Sequence, residues 1–345
     1  MRIAVDAMGG DFAPAVVVEG SIKAATEFGI SIVLVGDKAK VEAELKRHGY
    51  RQSNITVRHA SEVVGMDESP VQAIRRKKDS SLKVCFDIVN AGEAGAVVSA
   101  GNSGAAMAAG MLFFRKMKGV DRPAIAVCVP TMKNPTVLLD VGGNVDCKPV
   151  HLQQFAAMGE IYARYILKKD RPKVGLLSNG EEEGKGNELT RETNTLLKKS
   201  SMNYVGYIEG RDIFHGDIDV VVADGFVGNV VLKLSEGLIE AVTAMLKNEL
   251  MASVPTKIGY LLAKGAFKQL KKKIDYAEFG GAPLLGIDGV CFISHGRSNP
   301  KAIKNAIFRA HEYATSNVNA ILSEEMEKKY DIDRLGRSQE AAAGE

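Results

Sequence analysis

The sequence predicts an α/β fold: a largely parallel sheet flanked by helices in three layers. Short β-branched apolar runs recur along the chain, and amphipathic stretches with helical spacing separate many of them. Near-continuous apolar strands are what a parallel sheet buried on both faces requires. A third observation is bulk: 46% hydrophobic residues in 345 can bury one large unit or two lobes around a cleft.

In order, strands are expected at Arg2–Asp6, Ser31–Val35, Ile55–His59, Ala96–Ser99, Ala124–Val129, Thr136–Asp140, Lys173–Leu177, Asn203–Ile208 and Val220–Ala223. Helical stretches between them include Ala39–His48, Val71–Lys78 and Leu152–Leu167. Gly104–Phe114 is apolar, short and rich in alanine and glycine, and reads as a buried helix. No apolar run approaches the ~20 residues of a membrane span. Without repeats or a Pro/Ser-rich linker, residues 1–330 are expected to form a single α/β catalytic unit and 331–345 a loose tail.

The charge balance of 45 basic against 42 acidic residues, net +3, does not point to nucleic acid. Cys85, Cys128, Cys147 and Cys291 form no C-x-x-C pair, and no leader precedes the first strand, so reduced thiols in the cytoplasm are expected.

Ligands of such sheets collect beyond the carboxyl ends of strands. Five glycine-rich polar loops fall there: VDAMGGD, SAGNSG, DVGGNVDCK, SNGEEEGKGN and ADGFVGN. Each alone could be a tight turn, with Asn102 or Ser103 as a helix N-cap. Five together are expected to share a cleft for an anionic or polar ligand, where helix N-termini favour negative charge. No G-x-G-x-x-G is present, and Gly184–Lys185–Gly186 lacks the spacing and hydroxyl of a P-loop. The six histidines show no metal spacing. Asp6, Asp11, Asp140 and Asp146 could hold a divalent ion, or could orient backbone amides or a lysine. No G-x-S-x-G elbow occurs, and Cys147 has no identifiable histidine, so it reads as a bystander. An inorganic phosphate in the cleft would need no protein nucleophile, because it can attack an activated acyl group itself.

VDAMGGDFAP, SAGNSGAAM, DVGGNVDCKP, GKGNELT, ADGFVGN, GGAPLLGIDG and SHGRS, in that order over nearly the whole chain, resemble the bacterial phosphate acyltransferases of phospholipid synthesis. The resemblance implies a fold similar to the isocitrate/isopropylmalate dehydrogenases and phosphotransacetylases, acting as a homodimer without NAD, with no cofactor or metal assigned. It implies that a long-chain acyl group passes from acyl carrier protein to inorganic phosphate, and that the acyl-phosphate feeds a membrane glycerol-3-phosphate acyltransferase. Lys185 and Asn229 match catalytic positions, Lys185 meeting phosphate charge and Asn229 a phosphate or carbonyl oxygen. Asp6, Gly9, Gly10, Asn102, Ser103, Gly104, Asn144, Asn187 and His295 are expected to line the pocket, with Arg297 near enough to assist. A satisfied loop histidine is the plainer reading of His295.

A helical protrusion is expected near residues 245–280. Within it Ile258, Leu262, Ala266, Leu270 and Ile274 form an i,i+4 ladder, with Lys257, Lys264, Lys268, Lys271 and Lys272 on another side. Gly259 and Gly265 could split it into two helices. A basic face beside an apolar one suits an anionic bilayer surface, a dimer interface, or an acidic carrier protein. The resemblance raises the peripheral-membrane reading. The preceding stripe, Leu234, Leu238, Val242, Met245 and Leu246, reads as an ordinary core or dimer helix.

Overall fold

The computed structural model describes residues 1–278 and 280–328; the expected tail at 331–345 and the side chain of Lys271 lie outside what is described. All nine expected strands form, each within one residue of its expected ends: β1 Arg2–Asp6, β2 Ser31–Gly36, β3 Ile55–His59, β4 Ala96–Ser99, β5 Ala124–Val129, β6 Thr136–Leu139, β7 Val174–Leu177, β8 Tyr204–Ile208 and β9 Val220–Val222. Two more, β10 Ala282–Leu285 and β11 Cys291–Ile293, are short, and β10 carries Pro283. A proline within a brief apolar run is a weak strand signal.

Those two strands organise the sheet. Its order is β3-β2-β1-β4-β11-β10-β5-β6-β9-β7-β8. Pairing is parallel except at β11–β10, β10–β5 and β5–β6. Three successive reversals leave β6, β9, β7 and β8 running opposite to β1, β2, β3, β4 and β11. The carboxyl ends of the two blocks therefore lie at opposite ends of the sheet. A cleft shared by these loops must therefore run across the sheet from one end to the other.

Alternation along each strand sends side chains to two cores. Ile3, Val5, Ile32 and Leu34 enter one, while Ala4, Val33 and Val35 enter the other. Helices α1 Ala15–Phe28, α2 Lys38–Arg47, α6 Pro149–Tyr165, α7 Glu188–Lys198 and α10 Pro300–Thr315 cover the first face. Helices α3 Pro70–Arg76, α4 Ser81–Asn90, α5 Ser103–Ala109 and the start of α8 Gly225–Met251 cover the second. The expected buried helix continues from α5 as a π-helical turn over Gly110–Phe114.

Two readings left open for the protrusion are narrowed. Helix α9, Val254–Ile274, is unbroken through Gly259 and Gly265, started by a capping box in which Ser253 and Thr256 satisfy each other's backbone N–H. The α8 stripe is not core: Leu234 is 70% exposed, and Leu238, Val242, Met245 and Leu246 are exposed as well. Tyr260, Ala263 and Phe267 are half-buried, whereas Ile258, Leu261, Leu262 and Leu270 face outward with Lys257, Lys264, Lys268 and Lys272. Among the described residues no helix is long and apolar enough to cross a membrane.

Candidate active site

The opening loop is braced from within. Asp6, 3% exposed, accepts from the Met8 N–H at 3.2 Å and from Ser99 Oγ at 2.8 Å. Ser99 Oγ in turn accepts from the Gly101 N–H at 3.1 Å. A Cβ on Gly9 would lie 2.6 Å from Asp6 Oδ2 and 2.8 Å from the Gly101 nitrogen, so the β1 and β4 loops meet only through glycine. Burial pushes the Asp6 carboxyl above its ordinary value, against the hydrogen bonds it accepts.

The loop after β6 repeats the device. Asp140 Oδ1 accepts from Ile125 N and Gly143 N at 2.9 and 3.1 Å. Its Oδ2 accepts from Asn144 N and Nδ2 at 2.6 and 2.9 Å. Burial again raises the carboxyl's pKa. Of the readings open for these aspartates, orienting backbone amides is the one the geometry matches. Asp6 and the buried Asn144, whose Nδ2 also reaches Pro123 O at 2.7 Å, hold loops from beneath. Neither they nor Gly9 and Gly10 line either of the two cavities described below.

A cavity of about 500 Å³ lies on the second face of the sheet, beneath α8. Its size is in the range of small-molecule sites. It gathers Asn102, Ser103, Gly104, Asn229 and His295 from the expected set. At one end the α5 N-terminus meets the turn 294–298; at the other, Asn229 lies over Gly142 of the β6 loop. The floor between them is apolar, from Ile125, Val127 and Val129 of β5 with Ile293, and Leu232 of α8 faces it from above. Asn102 is also an N-cap: Oδ1 accepts from Ala105 N at 3.0 Å, and Nδ2 donates to carbonyls of the 65–68 segment.

Helix α8 reaches the β6 loop through Gly228, where a Cβ would stand 1.9 Å from the Asp140 carbonyl oxygen. Beyond its first turn Asn229, Lys233 and Glu236 line the cavity together. Their i, i+4, i+7 spacing was the overlooked sequence signal, because the neighbouring leucines suggested only a packing stripe.

Lys185 and Asn187 are placed elsewhere. The loop after β7 borders a second cavity, about 440 Å³, with Asn187, Asp224 and Val227 among its walls. Lys185 is exposed, in a turn closed by its own N–H to Glu182 O at 3.0 Å and by Gly186 N to Asn179 Oδ1 at 2.9 Å. Asn187 caps α7 through Thr190 N at 2.9 Å. The start of α8 carries its N-cap Asp224 and Val227 toward this cavity, and Asn229 toward the first.

With this geometry, similarity to known proteins becomes informative. A family profile described as fatty acid synthesis protein matches residues 1–321. A phosphate acyltransferase from Geobacter sulfurreducens is 61% identical over 346 residues, covering 100% of both chains. The chain belongs to the phosphate acyltransferase family. It is a family of acyltransferase enzymes, as the resemblance implied. A phosphotransacetylase from Streptococcus pyogenes superposes with a TM-score of 0.58 at 18% identity, covering 92% of this chain and 94% of that one. One from Staphylococcus aureus gives 0.56 at 17% identity, covering 91% and 94%. At such identities the likeness establishes the fold, which is the one the resemblance implied.

Electrostatics in this family member separate spectators from candidates. Burial pushes the Cys147 thiol up to about 12, with Asp140 adding to the shift, and Cys128 up to about 11. Neither is a thiolate nucleophile at neutral pH. Burial also raises the Glu236 carboxyl, while His295 and Lys233 pull it back.

Proposed function

We propose that the chain transfers a long-chain acyl group from acyl carrier protein to inorganic phosphate. A phosphate oxygen attacks the thioester carbonyl, a C–O bond forms, the C–S bond breaks, and the carrier leaves as a thiolate that takes up a proton. The observation carrying this reading is the main cavity: polar at both ends, apolar along its floor, and roofed by a helix bearing an amide, an ammonium and a carboxyl on one face. Such a space suits an acyl chain joined to an anionic reacting centre. Positioning and oxyanion stabilisation would supply the rate, with no covalent protein intermediate. Asn229 would donate to the carbonyl or phosphate oxygen, and Lys185 would approach from the second cavity when its exposed turn moves. His295, Asn102, Ser103 and Gly104 would border the substrate, while Asp6, Gly9, Gly10 and Asn144 would serve it by fixing the loops.

Two surfaces support the remaining roles. The exposed apolar stripe of α8 suits a second copy of the chain, since contiguous exposed apolar patches mark interaction sites. The outer face of α9, with exposed leucines and lysines, suits peripheral contact with an anionic membrane, where the product would pass to a glycerol-3-phosphate acyltransferase. The deciding experiment mixes protein, phosphate and long-chain acyl carrier protein and traps acyl-phosphate with hydroxylamine. Phosphate-dependent hydroxamate is expected. Product from acetyl-CoA but none from the acyl carrier would replace this reading with a short-chain phosphotransacetylase. Liposome binding without any product would leave a scaffold.

A further inference from the structure

Lys185 is not part of the main cavity's walls, which bring cations of their own to an anion held there. The turn 294–298 follows β11 and is pinned on several sides. Ser294 N donates to Ser99 O at 2.8 Å, Asp11 N to Gly296 O at 2.9 Å, and Ser298 N to His295 O at 2.9 Å. The Arg297 N–H donates to His295 Nδ1 at 3.1 Å. With Nδ1 occupied as an acceptor, neutral His295 carries its proton on Nε2 and is a donor there.

Ser294 supplies the independent observation. It is 2% exposed and borders the cavity, yet its Oγ has no hydrogen-bond partner. A buried hydroxyl left unpaired is a cost that a ligand oxygen would offset. Two cations border the same space, Arg297 of the turn and Lys233 of α8, and among the described residues neither lies within ion-pair distance of a carboxylate. Asp11 and Glu236 are the acidic groups present; burial raises the Glu236 carboxyl, while His295 and Lys233 beside it lower it.

We infer that Ser294, His295 and Arg297, with Lys233 of α8, form a subsite for a phosphate-class oxyanion at this end of the cavity. The set provides a hydroxyl, an imidazole N–H, a guanidinium fork and an ammonium, matching the several acceptor oxygens of such a group. Lys233 is one helical turn, about 6 Å along the axis, from Asn229, so it stands between this end of the cavity and the Asn229 end. The inference rests on the transfer reading above. The oxyanion has two sources in that reaction, the attacking inorganic phosphate and the phosphodiester of the carrier's prosthetic arm.

The test titrates the full chain with inorganic phosphate by calorimetry, then measures KM for phosphate and for acyl carrier protein. Arg297→Met is expected to weaken phosphate binding about tenfold or more, as loss of a charge-assisted hydrogen bond does. Arg297→Lys is expected to fall between it and the parent, and Ser294→Ala to weaken binding less, with thermal unfolding of all three compared against the parent. A raised KM for phosphate alone assigns the subsite to the nucleophile; a raised KM for the carrier alone assigns it to the arm. Unchanged phosphate affinity and unchanged KM values in both Arg297→Lys and Ser294→Ala overturn the inference, as does loss of affinity in Lys185→Ala with full affinity in Arg297→Met. Arg297-dependent phosphate binding without trapped acyl-phosphate would refute the transfer reading and leave the subsite standing.

Discussion

Gly228 is where one methyl group should displace the candidate site. Its missing Cβ would stand 1.9 Å from the Asp140 carbonyl oxygen, whereas ordinary contact begins near 3.4 Å. The carbonyl cannot yield easily, because the Asp140 side chain is fixed by four hydrogen bonds. Gly228→Ala must therefore move the start of α8 by roughly 1–1.5 Å, an overpacking strain that typically costs about 1–3 kcal/mol. The next residue is Asn229, and a 1 Å misplacement at a reacting centre can cost about 100-fold in rate. Gly237, on the same helix, has no atom within 4 Å of its added Cβ. There the same change is expected to stabilise by up to about 1 kcal/mol through helix propensity. Urea unfolding and the hydroxylamine-trapped rate read both variants. If Gly228→Ala keeps parental stability and rate, the close approach of α8 to the β6 loop is not what positions Asn229.

Three further outcomes are expected. Lys185→Ala, a change at an exposed turn, should leave unfolding unaltered and lower phosphate-dependent turnover by about 100-fold if its charge serves the transition state; a parental rate would remove Lys185 from the chemistry. Leu262→Glu with Leu270→Glu should abolish binding to anionic liposomes without unfolding the chain, since Leu262 is 86% exposed and Leu270 also faces outward; an undiminished liposome signal would return α9 to a protein contact. Asp140→Ala leaves three backbone N–H groups and one amide without their acceptor, so a loss of about 3–5 kcal/mol is expected by urea unfolding. Because burial raises the folded-state pKa, that loss should be largest below the ordinary carboxylate range and shrink as pH rises through the raised value. A loss that grows with pH would show that the four donors outweigh burial.

The sequence by itself determined nine of the eleven strands, most helices and the family. Strand periodicity, an N-cap such as Asn102, and glycine-rich turns are local, so they survive without knowledge of neighbours. The outward ladder of α9 was legible for the same reason. Only the tertiary structure decided which loops share a space. Two short strands, one holding a proline, reverse the sheet's direction three times between its halves, so loops that look equivalent in sequence reach the main cavity from its two ends, Asn102 at one and Gly142 and Asn229 at the other, while the β7 loop borders the second cavity. Lys185 thereby parts from His295, while Lys233 and Glu236 join Asn229 over the cavity. Asp6 and Asp140 likewise could have met a metal, a substrate or their own backbone; burial and the direction of the surrounding N–H groups make them braces.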